Sequence, residues 1–338
     1  MDKIIKIRTL ETGIAKELTL LTISLTEKVA KTGKSFVAIA LFDGSQTINV
    51  NFFDKTVSML ESEGIVPDTI LKVNIVLQTN GFYNQVGYRI NDDPSITKDD
   101  FRHVAPIDPD ICFDWLMDHV KAVDSNPDFV GPYKSISYLT QELLRKNMDA
   151  FKRSSAAVNM HHNFLYGLLY HTVRMVSVAE RIHDIYTTLD NEILVCATAL
   201  HDIGKISCYD TKDMGESEIT VEGRLLDHAL VGITMIHDAA KSESYNPEKI
   251  VMLEHMIASH HGTKEWGAIT IPAFPEAQML HLIDMIDSRM NMFEEAYKDQ
   301  LPGTISEKPI FGLEKSHIYK PSYSEMTFNH ELNDSDCG

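Results

Sequence analysis

Leu194-Val195-Cys196-Ala197-Thr198-Ala199-Leu200-His201-Asp202-Ile203-Gly204-Lys205 is the stretch from which the rest of the chain is read. Seven small or apolar residues form a core helix. It ends in two ligating groups, His201 and Asp202, that packing alone does not require. Adjacent helical residues project about 100° apart, so a neighbouring imidazole and carboxylate reach a cation from different directions. The two oxygens of a carboxylate also suffice to bridge two cations. The competing reading is a satisfied buried His–Asp pair.

Upstream, His171 lies in Leu168-Leu169-Tyr170-His171-Thr172-Val173-Arg174-Met175, seven residues from Phe164 on an apolar helical face. By itself it reads as a core histidine; with His201-Asp202 downstream it becomes a third ligand. Arg174, one turn on, either holds a phosphate or pairs with a surface acid. Downstream come His228 in Leu226-Asp227-His228-Ala229, the doublet His260-His261 before Gly262, and Asp284 in His281-Leu282-Ile283-Asp284-Met285-Ile286-Asp287. Such side chains on successive helices are enough for two metals, and helical bundles commonly build sites this way. Asp287 competes with Asp284 as the ligand. His255 reads as supporting or packing, and His161 and His162 either touch substrate or lie on the surface. Lys205 is placed to bind a phosphate as a point charge, or else complements the helix dipole from solvent.

The first 90 residues carry a different period. Phe36, Ala38, Ala40 and Phe42 alternate with Val37, Ile39 and Leu41, and Ile48, Val50 and Phe52 continue after Asp43-Gly44-Ser45, which makes a hairpin. Strands over Leu18–Lys28, Ile70–Gln78 and Val86–Ile90 and a short helix over Lys55–Glu63 complete an order of three strands, a helix and two strands. That is the order of an OB-fold, with any other small β-barrel as the alternative. The aperiodic, proline-bearing stretch 91–110 marks a connector. Beyond it Ser137–Phe151, Val158–Tyr186, Asn191–Leu200, Leu225–Ala240, Pro247–Ser259 and Glu276–Tyr297 are helical in spacing. The expected organisation is a multidomain α and β chain: an N-terminal OB-fold β-barrel over 1–95, connector and leading helices over 96–150, an all-helical domain over 151–315, and a polar tail over 316–338.

The chain has 338 residues and a formal charge of −18, which argues against coating nucleic acid through bulk positive field. The charge is uneven, however. Residues 1–90 hold 10 Lys/Arg against 9 Asp/Glu, so the whole excess of acid lies beyond them. The first segment is therefore free to bind a polyanion, with Lys31 and Lys34 in one loop and Phe82 and Tyr83 in another as contacts, or as ordinary turn residues. Four cysteines without a CxxC pair exclude a thiolate zinc finger and a disulfide scaffold. The absence of a secretory signal or a long apolar run leads to the expectation of a cytoplasmic protein.

At His171, His201-Asp202 and Asp284 the sequence resembles the HD-domain metal-dependent phosphohydrolases, and the additional His228 and His260-His261 are similar to members with a dinuclear centre. The stretches His161-His162-Asn163-Phe164, Gly167-Leu168, His201-Asp202-Ile203-Gly204-Lys205, Glu222-Gly223, His255-Met256, Ser259-His260-His261-Gly262, Glu265-Trp266-Gly267 and Met290-Asn291-Met292 more closely resemble the YhaM-type 3′–5′ exoribonucleases of Gram-positive bacteria. That family joins an N-terminal OB-fold to an HD domain. The resemblance implies two divalent cations per chain, manganese by preference, and digestion of single-stranded RNA from the 3′ end, with single-stranded DNA as a further substrate. Gly262 stands where some relatives have Glu, so a third metal is not expected.

The donors themselves, nitrogen and oxygen without thiolate, suit manganese, iron, zinc, nickel or magnesium alike. In this reading Asp202 bridges, His171, His201 and Asp284 complete one site, and His228, His260 and His261 the other; Asp202, Lys205 and Arg174 are the catalytic candidates. The alternatives are a nucleotide or cyclic-nucleotide phosphohydrolase, and a non-enzymatic nucleic-acid-binding regulator with a structural metal site. The sequence leaves a homo-oligomer open.

Overall fold

The computed structural model describes residues 4–30, 33–44, 46–157, 164–215, 217–298 and 300–323, and the chain divides into two compact units, Met1–His103 and Val104–Gly338. The first unit holds β1 (Ala15–Val29), β2 (Ser35–Phe42), β3 (Thr47–Phe53), α1 (Val57–Ser62), β4 (Ile70–Leu77) and β5 (Tyr83–Ile90). The alternation seen in the sequence sets the inward face: Val37, Ile39 and Leu41 pair with Phe52, Val50 and Ile48, all buried. Long β1 pairs with both β2 and β4, and a bulge between Thr22 and Ser24 bends it from one neighbour to the other. The ring runs β1-β2-β3-β5-β4 and returns to β1. Its joint between β3 and β5 is short and parallel, Val50↔Tyr83 and Asn51↔Asn84. This is the OB-fold barrel expected from the strand order.

Of the expected nucleic-acid contacts, Phe82 is 61% exposed at the β4–β5 turn and Lys34 is exposed just before β2. Tyr83 departs from the loop reading. It is the first residue of β5, is half-buried, and packs against the barrel core, because β5 begins earlier than the apolar alternation at Val86–Ile90 reveals. Lys31 lies outside the described residues.

The second unit is helical: α2 (Pro109–Ala122), α3 (Ile136–Lys146), α4 (Met148–Arg153), α5 (Gly167–Ile185), α6 (Asn191–Leu200), α7 (Lys205–Cys208), α8 (Val221–Leu226), α9 (His228–Ala239), α10 (Pro247–Ser259) and α11 (Pro275–Lys298). Two strand pairs interrupt it, β6 (Tyr209–Thr211) with β7 (Ser217–Ile219) and β8 (Thr304–Ile305) with β9 (Tyr319–Lys320). Helix α6 is buried along its length and packs in one core with α2, α3, α5, α10 and α11.

Three periodic stretches prove to be divided or shorter. Ser137–Phe151 breaks at Asn147, whose side chain bonds back to the Leu143 carbonyl. Leu225–Ala240 breaks at Asp227, whose positive φ cannot continue a helix and whose carboxylate instead caps α9 through the Ala229 N–H. Tyr166, also at positive φ, fixes the start of α5 at Gly167. The segment read as a polar tail begins with an ordered part: Ile318 is buried against Tyr297 and Leu313, a lone apolar residue that leaves no periodic signal. Among the described residues no helix is long and apolar enough to cross a membrane.

Candidate metal centre

Helix α6 begins at a cap, the Asp190 carboxylate accepting the Ile193 N–H, and ends with His201 as its last helical turn closes. The carbonyls in that final turn have no partner further along the helix. The Thr198 carbonyl finds one in His201: it accepts at 2.8 Å from Nδ1, which must therefore carry the proton and leave Nε2 as the free lone pair. The end of α10 repeats the device, His260 Nδ1 donating to the Ile257 carbonyl at 2.6 Å. His171 on α5 donates Nδ1–H to Asp287 Oδ2 at 2.6 Å, and His228 Nδ1 lies 2.9 Å from Asp227 Oδ1. Each of these four rings is oriented by an oxygen behind it, so each offers Nε2 to the interior.

The donors converge as two groups. His171, His201 and Asp284 bring one ligand atom each within 4.8 Å of one another, and so do His228, His260 and His261. Asp202 stands between them. Its Oδ2 lies 3.1 Å from His201 Nε2 and 4.0 Å from His171 Nε2, while its Oδ1 lies 3.3 Å from His228 Nε2 and 3.9 Å from His260 Nε2. One oxygen faces each group.

The electrostatics suit cations. Burial alone would raise Asp202, but Lys205 and His201 hold its carboxyl well below the usual carboxylate range. Asp284 is likewise lowered, burial being outweighed by His171. Burial, with His261 beside it, pushes His260 well down; burial and His228 push His261 down. Ligand imidazoles must be neutral, and these two are held so. Five buried atoms test the fit directly: His201 Nε2, Asp202 Oδ1, His228 Nε2, His260 Nε2 and His261 Nδ1 find no hydrogen-bond partner among the described residues. Buried polar atoms are rarely left so, and cations held by the two groups would satisfy all five.

A match to the HD domain family covers residues 168–289. A 3′–5′ exoribonuclease YhaM of Bacillus pumilus is 33% identical over 323 residues, 94% of this chain and 99% of that protein. The chain belongs to the YhaM family of 3′–5′ exoribonucleases. The relative of the same name from Bacillus subtilis is 32% identical over 93% of this chain and 97% of its own length, and that of a Geobacillus species 31% over 94% and 95%. No solved structure matches the chain. The HD domain implies binding of divalent metal, and in this YhaM-family chain the donor set above is chemically suited to it.

Residues around the centre have settled positions. Asp284, not Asp287, shares a donor group with His171 and His201; Asp287 lies behind the His171 ring. Arg174, read from the sequence as either a phosphate-binding group or the partner of a surface acid, has its guanidinium on acids: Nε is 2.6 Å from Asp287 Oδ1, and Nη1 is 3.2 Å from Glu294 Oε2 and 3.0 Å from the Tyr170 hydroxyl. Lys205 is buried, not solvated, with Nζ 2.5 Å from Asp202 Oδ2. His255 is apart from the centre, its Nε2 accepting the Ala273 N–H. His161 and His162 lie outside the described residues.

Three contributors carried weak sequence signals. Asp227, adjacent to His228, orients its ring. Gly204 lets the His201–Lys205 turn touch α9, since a Cβ there would lie 2.0 Å from the His228 carbonyl oxygen. Gly262, at φ +79°, leaves room for His281, whose ring a Cβ would meet at 2.2 Å and whose Nδ1 donates to the His260 carbonyl.

Proposed function

We propose that the chain is a metal-dependent exoribonuclease that hydrolyses single-stranded RNA from its 3′ end with two cations, manganese by preference. The observation that carries this reading is Asp202 presenting one oxygen to each of two donor groups. His171, His201 and Asp284 would hold one cation, His228, His260 and His261 the other, and Asp202 both. Bound divalent cations supply activation of a water for attack on phosphorus and neutralise charge on the phosphate oxygens. The protein's own residues do the rest. Thr198, Ile257, Asp287 and Asp227 hold four imidazoles in one tautomer and direction. Lys205 keeps a positive charge on Asp202 Oδ2, beside the place a scissile phosphate would occupy. Arg174 serves as a positioning residue, bracing Asp287 and through it His171.

The division into an RNA-capturing segment over 1–95, connecting helices over 96–150 and an HD domain over 151–315 belongs to this proposal. In it Lys34 and Phe82 contact the strand by charge and stacking, and the protein works in the cytoplasm. The deciding experiment uses purified protein: about two cations per chain by metal analysis, and a descending ladder from 5′-labelled single-stranded RNA. A circular RNA of the same sequence resists digestion. Cleavage of the circle would identify an endonuclease, and hydrolysis of cyclic dinucleotides with inert RNA would identify a small-nucleotide phosphohydrolase.

A further inference from the structure

A cavity of about 610 Å³ opens on the donor groups, with His261 and Asp284 in its lining. That volume falls in the range of about 300–1,000 Å³ typical of small-ligand pockets. Two aromatic rings in its lining are largely exposed, Trp266 at 54% and Phe311 at 74%, the latter with Lys315 Nζ 5.5 Å from its ring centroid. Trp266 ends a short 3₁₀ turn, Lys264–Trp266, with its ring centroid 6.0 Å from that of His281. Phe311 belongs to the turn closed by the Ile310–Ser316 bridge. That turn is fixed at two points. Leu313 is buried against Tyr297 of α11, and the Glu314 carboxylate pairs with Arg289, another α11 residue of the cavity lining. The turn lies beyond the HD match at 168–289, so this wall is an addition of the chain's C-terminal part.

The charge of the lining narrows the occupant. Away from the donor groups the lining carries Glu265 and Glu314 against Arg289, whose charge Glu314 already meets, so one carboxylate, Glu265, is left over. A second phosphate is disfavoured there by repulsion. An uncharged nucleoside is not: its base has a face for each ring, and its sugar hydroxyls donate to carboxylates. We infer that this cavity holds the 3′-terminal nucleoside of the RNA, its base against Trp266 and Phe311 and its scissile phosphate over the donor groups. The inference rests on the exoribonuclease reading above.

The test compares the full chain with Trp266→Ala, Phe311→Ala, the double variant and Phe311→Tyr. The substrates are a 5′-labelled single-stranded RNA, the same RNA with an abasic 3′-terminal nucleotide, and bis(p-nitrophenyl) phosphate. The first cut on intact RNA should lose at least about tenfold in kcat/KM in each alanine variant, the order expected for one lost stacking contact, with most of the loss in KM. Hydrolysis of bis(p-nitrophenyl) phosphate, metal content and thermal midpoint should stay at wild-type values, and Phe311→Tyr should retain RNA activity. The wild type should also be slowed at the abasic end, and the double variant should not distinguish the two RNAs. Wild-type kcat/KM in the double variant, equal loss on the small diester, or indifference of the wild type to the missing base each overturns the inference alone. A wild-type chain that hydrolyses the small diester and leaves RNA intact overturns the exoribonuclease reading, and this inference with it.

Discussion

The Asp287 carboxylate joins two residues of α5: Oδ2 accepts from His171 Nδ1 at 2.6 Å and Oδ1 lies 2.6 Å from Arg174 Nε. It does not share the donor group that His171 and Asp284 form, so in the proposed centre its work is to aim His171. Asp287→Asn keeps the shape and removes the charge. Loss of such a supporting carboxylate typically weakens metal binding by about 10–100-fold. A chelator-competition titration measures this, and an unchanged affinity would show that packing alone orients His171.

Cation uptake should depend on pH in a calculable direction. Burial of the His171 ring opposes its charged form, but Asp284 and Asp287 outweigh burial and hold the cation-free imidazole up to about 9. A raised value means the ring keeps its second proton below about pH 9, whereas a ligand imidazole must have lost it. Binding therefore releases a proton across the neutral range. Apparent affinity at that site should rise about tenfold per pH unit toward pH 9 and then level. Calorimetric titration in two buffers of different ionisation enthalpy reads the proton directly; no release at pH 7 would contradict the assignment.

His201→Ala and Asp202→Ala should both remove hydrolysis, by about 10³-fold or more if several kcal/mol of transition-state charge stabilisation are lost. Their stabilities should differ. Asp202 is the carboxylate against which the buried Lys205 ammonium rests, so Asp202→Ala leaves a buried charge unpaired, at a cost of about 3–5 kcal/mol. His201→Ala leaves that pair intact. Chemical denaturation beside a diester assay separates the two effects, and near-wild-type turnover in His201→Ala with saturating manganese would remove His201 from the centre.

Gly204→Ala should damage the centre from outside the ligand set. Gly204 has ordinary helical φ, so the effect is steric: the added Cβ would sit 2.0 Å from the His228 carbonyl oxygen and 2.6 Å from the Gly232 nitrogen. Overpacking of this kind costs about 1–3 kcal/mol. It also pushes α9, which begins at His228, away from Asp202. Metal affinity at the His228 group should therefore fall, and a variant of wild-type stability and affinity would show that the contact is not rigid.

Some of this was legible in the residues alone, because it depends on local order along the chain. The apolar run Phe36–Phe42, resumed at Ile48, Val50 and Phe52 after Asp43-Gly44-Ser45, marks paired strands, and a buried apolar run ending in His201-Asp202 carries ligating groups that packing does not require. The donor residues were visible for the same reason, as ligating types at the ends and faces of apolar helices. Tertiary structure decided the rest. Asp284 and Asp287 are three residues apart on α11 and project to neighbouring directions, so periodicity cannot say which reaches the cations; the packing of α11 beside α5 puts Asp287 behind His171 and Asp284 in front. Which of its two readings Arg174 follows was not legible, because its partners Asp287 and Glu294 are more than a hundred residues away in sequence. That Asp202 turns one oxygen toward each donor group depends on four helices and a turn meeting at one point, which no local pattern encodes.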